Sequence, residues 1–156
     1  MAKLTRRGVL GIAGGSAVGL TACQSLTEPA FQPPFEGSVA FAHGVASGDP
    51  LSDGVVIWTR VSPDRDASVW VIWQVFADAA LSEQVAAGAV QTSAARDYTV
   101  KVDVTGLSAQ TEYYFIFTAN TLTGAVPSAL GRTKTLAASG TDPVRAAVVS
   151  LSLIHI

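Results

Sequence analysis

Cysteine is nearly missing from this 156-residue chain: Cys23 stands alone, which excludes an intramolecular disulfide. Histidine is almost as scarce. Only His43 and His155 are present, and neither lies in a ligand-spaced motif of the kind that holds a catalytic metal. Charged residues make up 14% of the chain, and the basic ones form no stripe. Lys3, Arg6 and Arg7 precede Cys23 while all twelve acidic residues follow it, leaving seven basic against twelve acidic groups beyond that point. That balance argues against a phosphate-backbone footprint and so against nucleic-acid binding. No Ser/His/Asp constellation and no phosphate-cradling glycine loop is visible, since Gly14-Gly15 belongs to the N-terminal apolar run. The length suits one buried core plus an export segment, not a large two-domain enzyme.

What is present begins with that apolar run. Paired Arg6 and Arg7 lead into Val9–Leu20, rich in Gly and Ala, and the segment closes on Leu20-Thr-Ala22-Cys23. Twelve helical residues reach about 18 Å, short of the roughly 30 Å hydrocarbon core, so residues 1–22 read as a cleaved leader rather than a retained membrane helix. The twin arginines resemble the signal of the route that exports folded proteins; an ordinary secretory leader with two arginines is the alternative. Cleavage between Ala22 and Cys23 has two readings. The pattern resembles a lipobox, which would lipidate Cys23 and anchor the protein to a membrane, and it also suits general signal peptidase. Residues 23–38, with Pro29, Pro33 and Pro34 and no hydrophobic period, read as a tether.

From Val39 onward, short β-type runs alternate with turn residues. The expected strands are Ala40–Ala46, Val55–Val61, Ser68–Ala77, Val85–Thr92, Tyr98–Val104, Glu112–Thr121 and Leu130–Leu136, with no convincing helix. Seven strands over residues 39–138 predict an all-β sandwich of immunoglobulin or fibronectin type III kind. Tyr98, Val100, Val102 and Val104 alternate with polar neighbours, so that strand buries one face. The run from Leu107 to Tyr113 resembles the fibronectin type III tyrosine corner, in which the Tyr113 ring fills the end of the core and its hydroxyl bonds backbone upstream. Val69, Val71, Trp73 and Val75 share a face, but the opposite face holds Trp70, Ile72 and Phe76 and is scarcely polar. Either a neighbouring strand or loop covers it, or it is a docking surface, with Trp58 a further candidate.

The most informative stretch is Gly44, Val45, Ala46, Ser47, Gly48, Asp49 and Pro50, followed by Trp58, Thr59 and Arg60. Read physically, Ser47-Gly48-Asp49-Pro50 is a turn, with Gly48 free to take a positive φ and Pro50 fixing its own. His43 reads as a strand-end residue bonded to backbone or water. Asp49 and Asp53 flank the turn and read as caps, a calcium pair being the costlier alternative.

These residues resemble the opening of the PhoD-like alkaline phosphatases, exported phosphate-ester hydrolases in which a small β-sandwich precedes a metal-dependent catalytic domain. The resemblance implies that this stretch is structural, that no catalytic or metal-binding residue lies in residues 39–138, and that iron and calcium serve the longer enzyme. Residues 139–150 then read as a linker, Gly140-Thr-Asp-Pro143, and the first strand of the catalytic domain, Val144–Ser150. In the family that strand is followed by a metal-binding Cys, where this sequence has Leu151. Residues 151–156 read as the translation of an end sequence used in transposon-based DNA library preparation, a genuine apolar strand terminus being the alternative. The implied partners are the catalytic domain in cis and the export machinery, and the implied location is periplasmic or cell-surface. A stand-alone fibronectin-like surface lipoprotein that binds a glycan or a protein is the competing reading.

Overall fold

The computed structural model describes residues 31–140. Arg6, Arg7, Ala22, Cys23, Val144–Ser150, Leu151 and His155 lie outside the described residues. Ten strands follow in chain order: β1 (Val39–Ala40), β2 (Val45–Gly48), β3 (Gly54–Arg60), β4 (Ser62–Pro63), β5 (Val69–Phe76), β6 (Gln84–Thr92), β7 (Thr99–Thr105), β8 (Glu112–Thr121), β9 (Gly124–Pro127) and β10 (Gly131–Lys134). One sheet has the order β2-β3-β7. The facing sheet has the order β10-β8-β5-β6, with β9 also paired to β8, and β1-β4 forms a small clip. All named strand pairs are antiparallel, and the three-stranded sheet against the five-stranded one makes an all-β sandwich.

Alternation in the sequence sets which side chains meet. β8 buries Tyr113, Phe115, Phe117, Ala119 and Thr121 and leaves every second residue half-buried. β7 buries Val100, Val102 and Val104 and exposes Lys101 and Asp103. Val55 and Ile57 from β3, Val61 just after it, and Val69, Val71 and Val75 from β5 complete the core between the sheets. Each such side chain contributes about 1.5–3 kcal/mol through apolar surface removed from water. Phe115 and Phe117 meet edge to face, with ring centroids 6.0 Å apart.

At one end of the core Leu107 is buried, and the Ser108 N–H donates to the Tyr113 hydroxyl at 2.9 Å. The bond ties the crossing from β7 to β8 into a corner. Along the last edge, β9 and β10 follow β8 in tandem, separated by a break at Ser128-Ala129-Leu130. There the Ser128 hydroxyl accepts the Phe117 N–H at 3.0 Å, so a side chain stands in for the ladder.

Several expectations need correction. Ala40–Ala46 is not one strand: it is interrupted after Ala40 by a turn, and Gly44 has φ +69°. Ser47 and Gly48 belong to β2, and the positive φ falls on Asp49, at 49°. The expected strand Leu130–Leu136 is shorter, and β9 was not foreseen because Gly124-Ala-Val-Pro127 has too few β-branched or aromatic residues to announce itself. The folded unit also starts earlier than residue 39. Phe35 is buried, its N–H donates to Asn120 O at 2.8 Å, and the Arg65 guanidinium lies 5.5 Å from its ring centroid. The Ser38 N–H and hydroxyl both donate to Asp64, at 2.9 and 3.0 Å, and hold the segment down. The end of the proline-rich stretch is therefore part of the core.

Gly131 lies opposite Phe115, and a Cβ there would sit inside van der Waals contact with that ring. Gly131→Ala is expected to cost about 2 kcal/mol through overpacking, whereas Gly48→Ala, with nothing nearby, should change stability by less than about 0.5 kcal/mol. Urea denaturation of both variants checks the difference.

Candidate functional site

The two halves of the Gly44–Arg60 stretch are cross-strand partners. Val45 pairs with Thr59, Ala46 with Trp58, Ser47 with Ile57 and Gly48 with Val56. Thr59 is fully buried, and its hydroxyl donates to Gly44 O at 2.9 Å, so the one polar side chain on the inner face of β3 is satisfied by the backbone that opens the hairpin. Trp58 points the other way, half-buried between Ala46 and Lys101 on the outside of the sheet.

Arg60 ends β3 in a charged cluster. Its Nη2 and Nε donate to Asp97 Oδ1 and Oδ2 at 2.8 and 3.2 Å, a fork-on-fork contact, and Nε also reaches Asp97 O at 3.0 Å. Asp97 is placed for this by a left-handed backbone, φ 49°, at the end of the short 3₁₀ turn Ala94–Arg96. The bonds from Arg60, and then its charge, hold the Asp97 carboxyl below the ordinary range. The remaining Nη1 of Arg60 faces His43 Nε2 at 3.3 Å. His43 is thus a partner of Arg60, which the sequence reading did not name. Asp97 carried no signal beyond being an acid near a turn; an arginine at a strand end and its need for a partner were the only hint.

The turn after β2 is held by backbone rather than by carboxylates. Leu51 N–H donates to Gly54 O at 2.8 Å, Leu107 N–H to Asp53 O at 2.9 Å, and Leu136 N–H to Leu51 O at 2.9 Å. Neither the Asp49 nor the Asp53 carboxylate makes a hydrogen bond among the described residues, which corrects the capping expectation. Among the described residues no three His, Cys, Asp or Glu side chains come together in a way that could hold a metal ion.

The face opposite the core on β5 is covered in part. Phe76 is buried, and Trp70 and Ile72 are half-buried. Trp70 forms one wall of an open cavity of about 250 Å³, whose other walls include Pro33, Pro34, Phe35, Arg65 and Gln91, so the N-terminal segment shelters it. Farther along this face Arg132 Nε donates to Glu112 at 2.7 Å and the Tyr114 hydroxyl donates to the same carboxylate. A polar network therefore interrupts what the sequence showed as an apolar surface. The described residues thus present a well-tied sandwich with charged clusters at Arg60 and Glu112.

Comparison with known proteins gives this architecture a family. Residues 27–137 match the family model described as PhoD-like phosphatase, N-terminal domain. The chain is 38% identical over 138 residues to alkaline phosphatase D of Bacillus subtilis (strain 168), a match that covers 82% of this chain and 23% of that protein. A solved structure titled "Structure of PhoD" superposes with a TM-score of 0.62 at 35% identity, covering 72% of this chain and 22% of that one. The chain therefore spans under a quarter of the length of the curated relative that it matches.

Because the Asp97 carboxyl titrates lower in the folded protein than in an unfolded chain, its link to Arg60 stabilises the fold above the ordinary carboxylate range. The contribution is lost as pH falls through the lowered value. Arg60→Gln should return the Asp97 titration to the ordinary range, read by NMR, and should flatten the loss of stability on the acid side.

Proposed function

Because the chain belongs to the PhoD-like phosphatase family through that N-terminal domain, we propose that its described residues are the non-catalytic front module of an exported, metal-dependent phosphate-ester hydrolase. The chemistry would reside in polypeptide beyond Ser150. The observation that carries this reading is the coverage: 38% identity confined to 23% of a relative named as an alkaline phosphatase. The donor set supports it. Metal ions in such an enzyme would polarise phosphoryl oxygens and supply a nucleophile, which requires several converging ligands. Among the described residues no such group comes together, so they do not fit iron or calcium.

Export is part of the same proposal. The paired Arg6 and Arg7 ahead of an apolar run favour the route for folded proteins, which suits an enzyme that loads metals before crossing, and Cys23 would anchor the product to a membrane if lipidated. In this reading the sandwich works as a rigid spacer between that entry point and the catalytic part.

With iron and calcium supplied, the 156-residue chain should release no phosphate from an aryl phosphate ester, and the protein expressed from the uninterrupted native gene should. Substantial metal-dependent turnover by the 156-residue chain would overturn the division of labour.

A further inference from the structure

The antiparallel ladders bring three connections to one end of the sandwich: the Asp49–Asp53 turn between β2 and β3, residues 77–83 between β5 and β6, and residues 106–111 between β7 and β8. The last strand leaves at the same end, because Lys134 pairs with Glu112 at the start of β8. Phe35 sits at the opposite end, against Thr121. The chain thus enters at one pole and exits at the other.

At the exit pole the backbone is cross-tied to the Asp49–Asp53 turn. Leu136 N–H donates to Leu51 O, Gln110 N–H to Leu136 O, and the Thr135 hydroxyl to Ser108 O at 2.7 Å. These bonds fix the direction in which the chain leaves. Yet Leu51 and Leu136, adjacent through one of them, are 54% and 47% exposed, which is unusual for leucines on so well-tied a surface. The Asp49 and Asp53 carboxylates beside them are committed to nothing among the described residues. Apolar contact with two acids at its rim calls for a partner that is apolar and basic. The chain leaves at this pole, which puts a domain continuing beyond Ser150 within reach of it.

We infer that the Asp49–Asp53 turn, with Leu51 and Leu136, is the joint face on which a domain continuing beyond Ser150 packs. The inference rests on the reading of the chain as a front module. It assigns the Asp49-Pro50 end of the family stretch a task that its turn geometry leaves unexplained: aligning the exit strand and presenting Leu51 to the next domain. Leu122 is also exposed, but it lies on the entry side, its N–H donating to Phe35 O, away from the continuing chain.

Thiol labelling tests it. In a Cys23→Ala background, Leu51→Cys and Leu136→Cys are each labelled with a maleimide dye in the 156-residue chain and in the protein from the uninterrupted gene. Leu130→Cys, equally exposed at 47% in the break between β9 and β10, serves as control. Labelling at 51 and 136 should slow at least tenfold in the longer protein, with no change at 130. Equal rates at 51 and 136 would overturn the joint while leaving the phosphatase reading intact if the longer protein hydrolyses phosphate esters. Protection at all three positions would overturn it as well, since burial would not be confined to this pole. A gene that encodes no longer protein would overturn both.

Discussion

The register of β2 on β3 is the constraint on which the rest of this sandwich depends. Val45 against Thr59 and Gly48 against Val56 put Val55, Ile57 and Thr59 on the core side, and a slip of one residue would turn all three outward. The Thr59 hydroxyl on Gly44 O locks that register, because a buried threonine without its partner would cost about 1–3 kcal/mol. With β3 fixed, β7 follows along its other edge and completes one layer of the core. Arg60 then projects from the end of β3 to fasten the turn before β7 through Asp97.

Much of this was legible in the residues, and for stated reasons. Strict alternation from Val100 to Val104 and from Tyr113 to Phe117 reads as half-buried strands, and those faces are buried as the pattern requires. What the sequence concealed has common physical causes. Phe35 lies in a proline-rich stretch with no period, so only its place against β8 shows that it closes the core. Asp49 takes the positive φ that glycine would be expected to supply, because Gly48 is needed in the ladder and aspartate tolerates the left-handed region. Asp97 and Asp64 act on partners 37 and 26 residues away, beyond the reach of any local pattern.

A fold of this kind does not dictate a function, and sandwiches serve many. What narrows the field is a family match to an N-terminal domain, confined to a quarter of a longer relative. The family stretch that stands out in the sequence has a clear place in the fold. It is a hairpin whose inner face builds the core, whose strand end holds Arg60, and whose turn grips the strand by which the chain leaves.

The most direct test is to read the native locus through and beyond the codon for Ser150 on an independently prepared template. The account predicts that the frame continues into a domain with converging Asp, His and Asn metal ligands, and that Leu151–Ile156 is replaced. A genuine stop codon directly after Ile156 would contradict it.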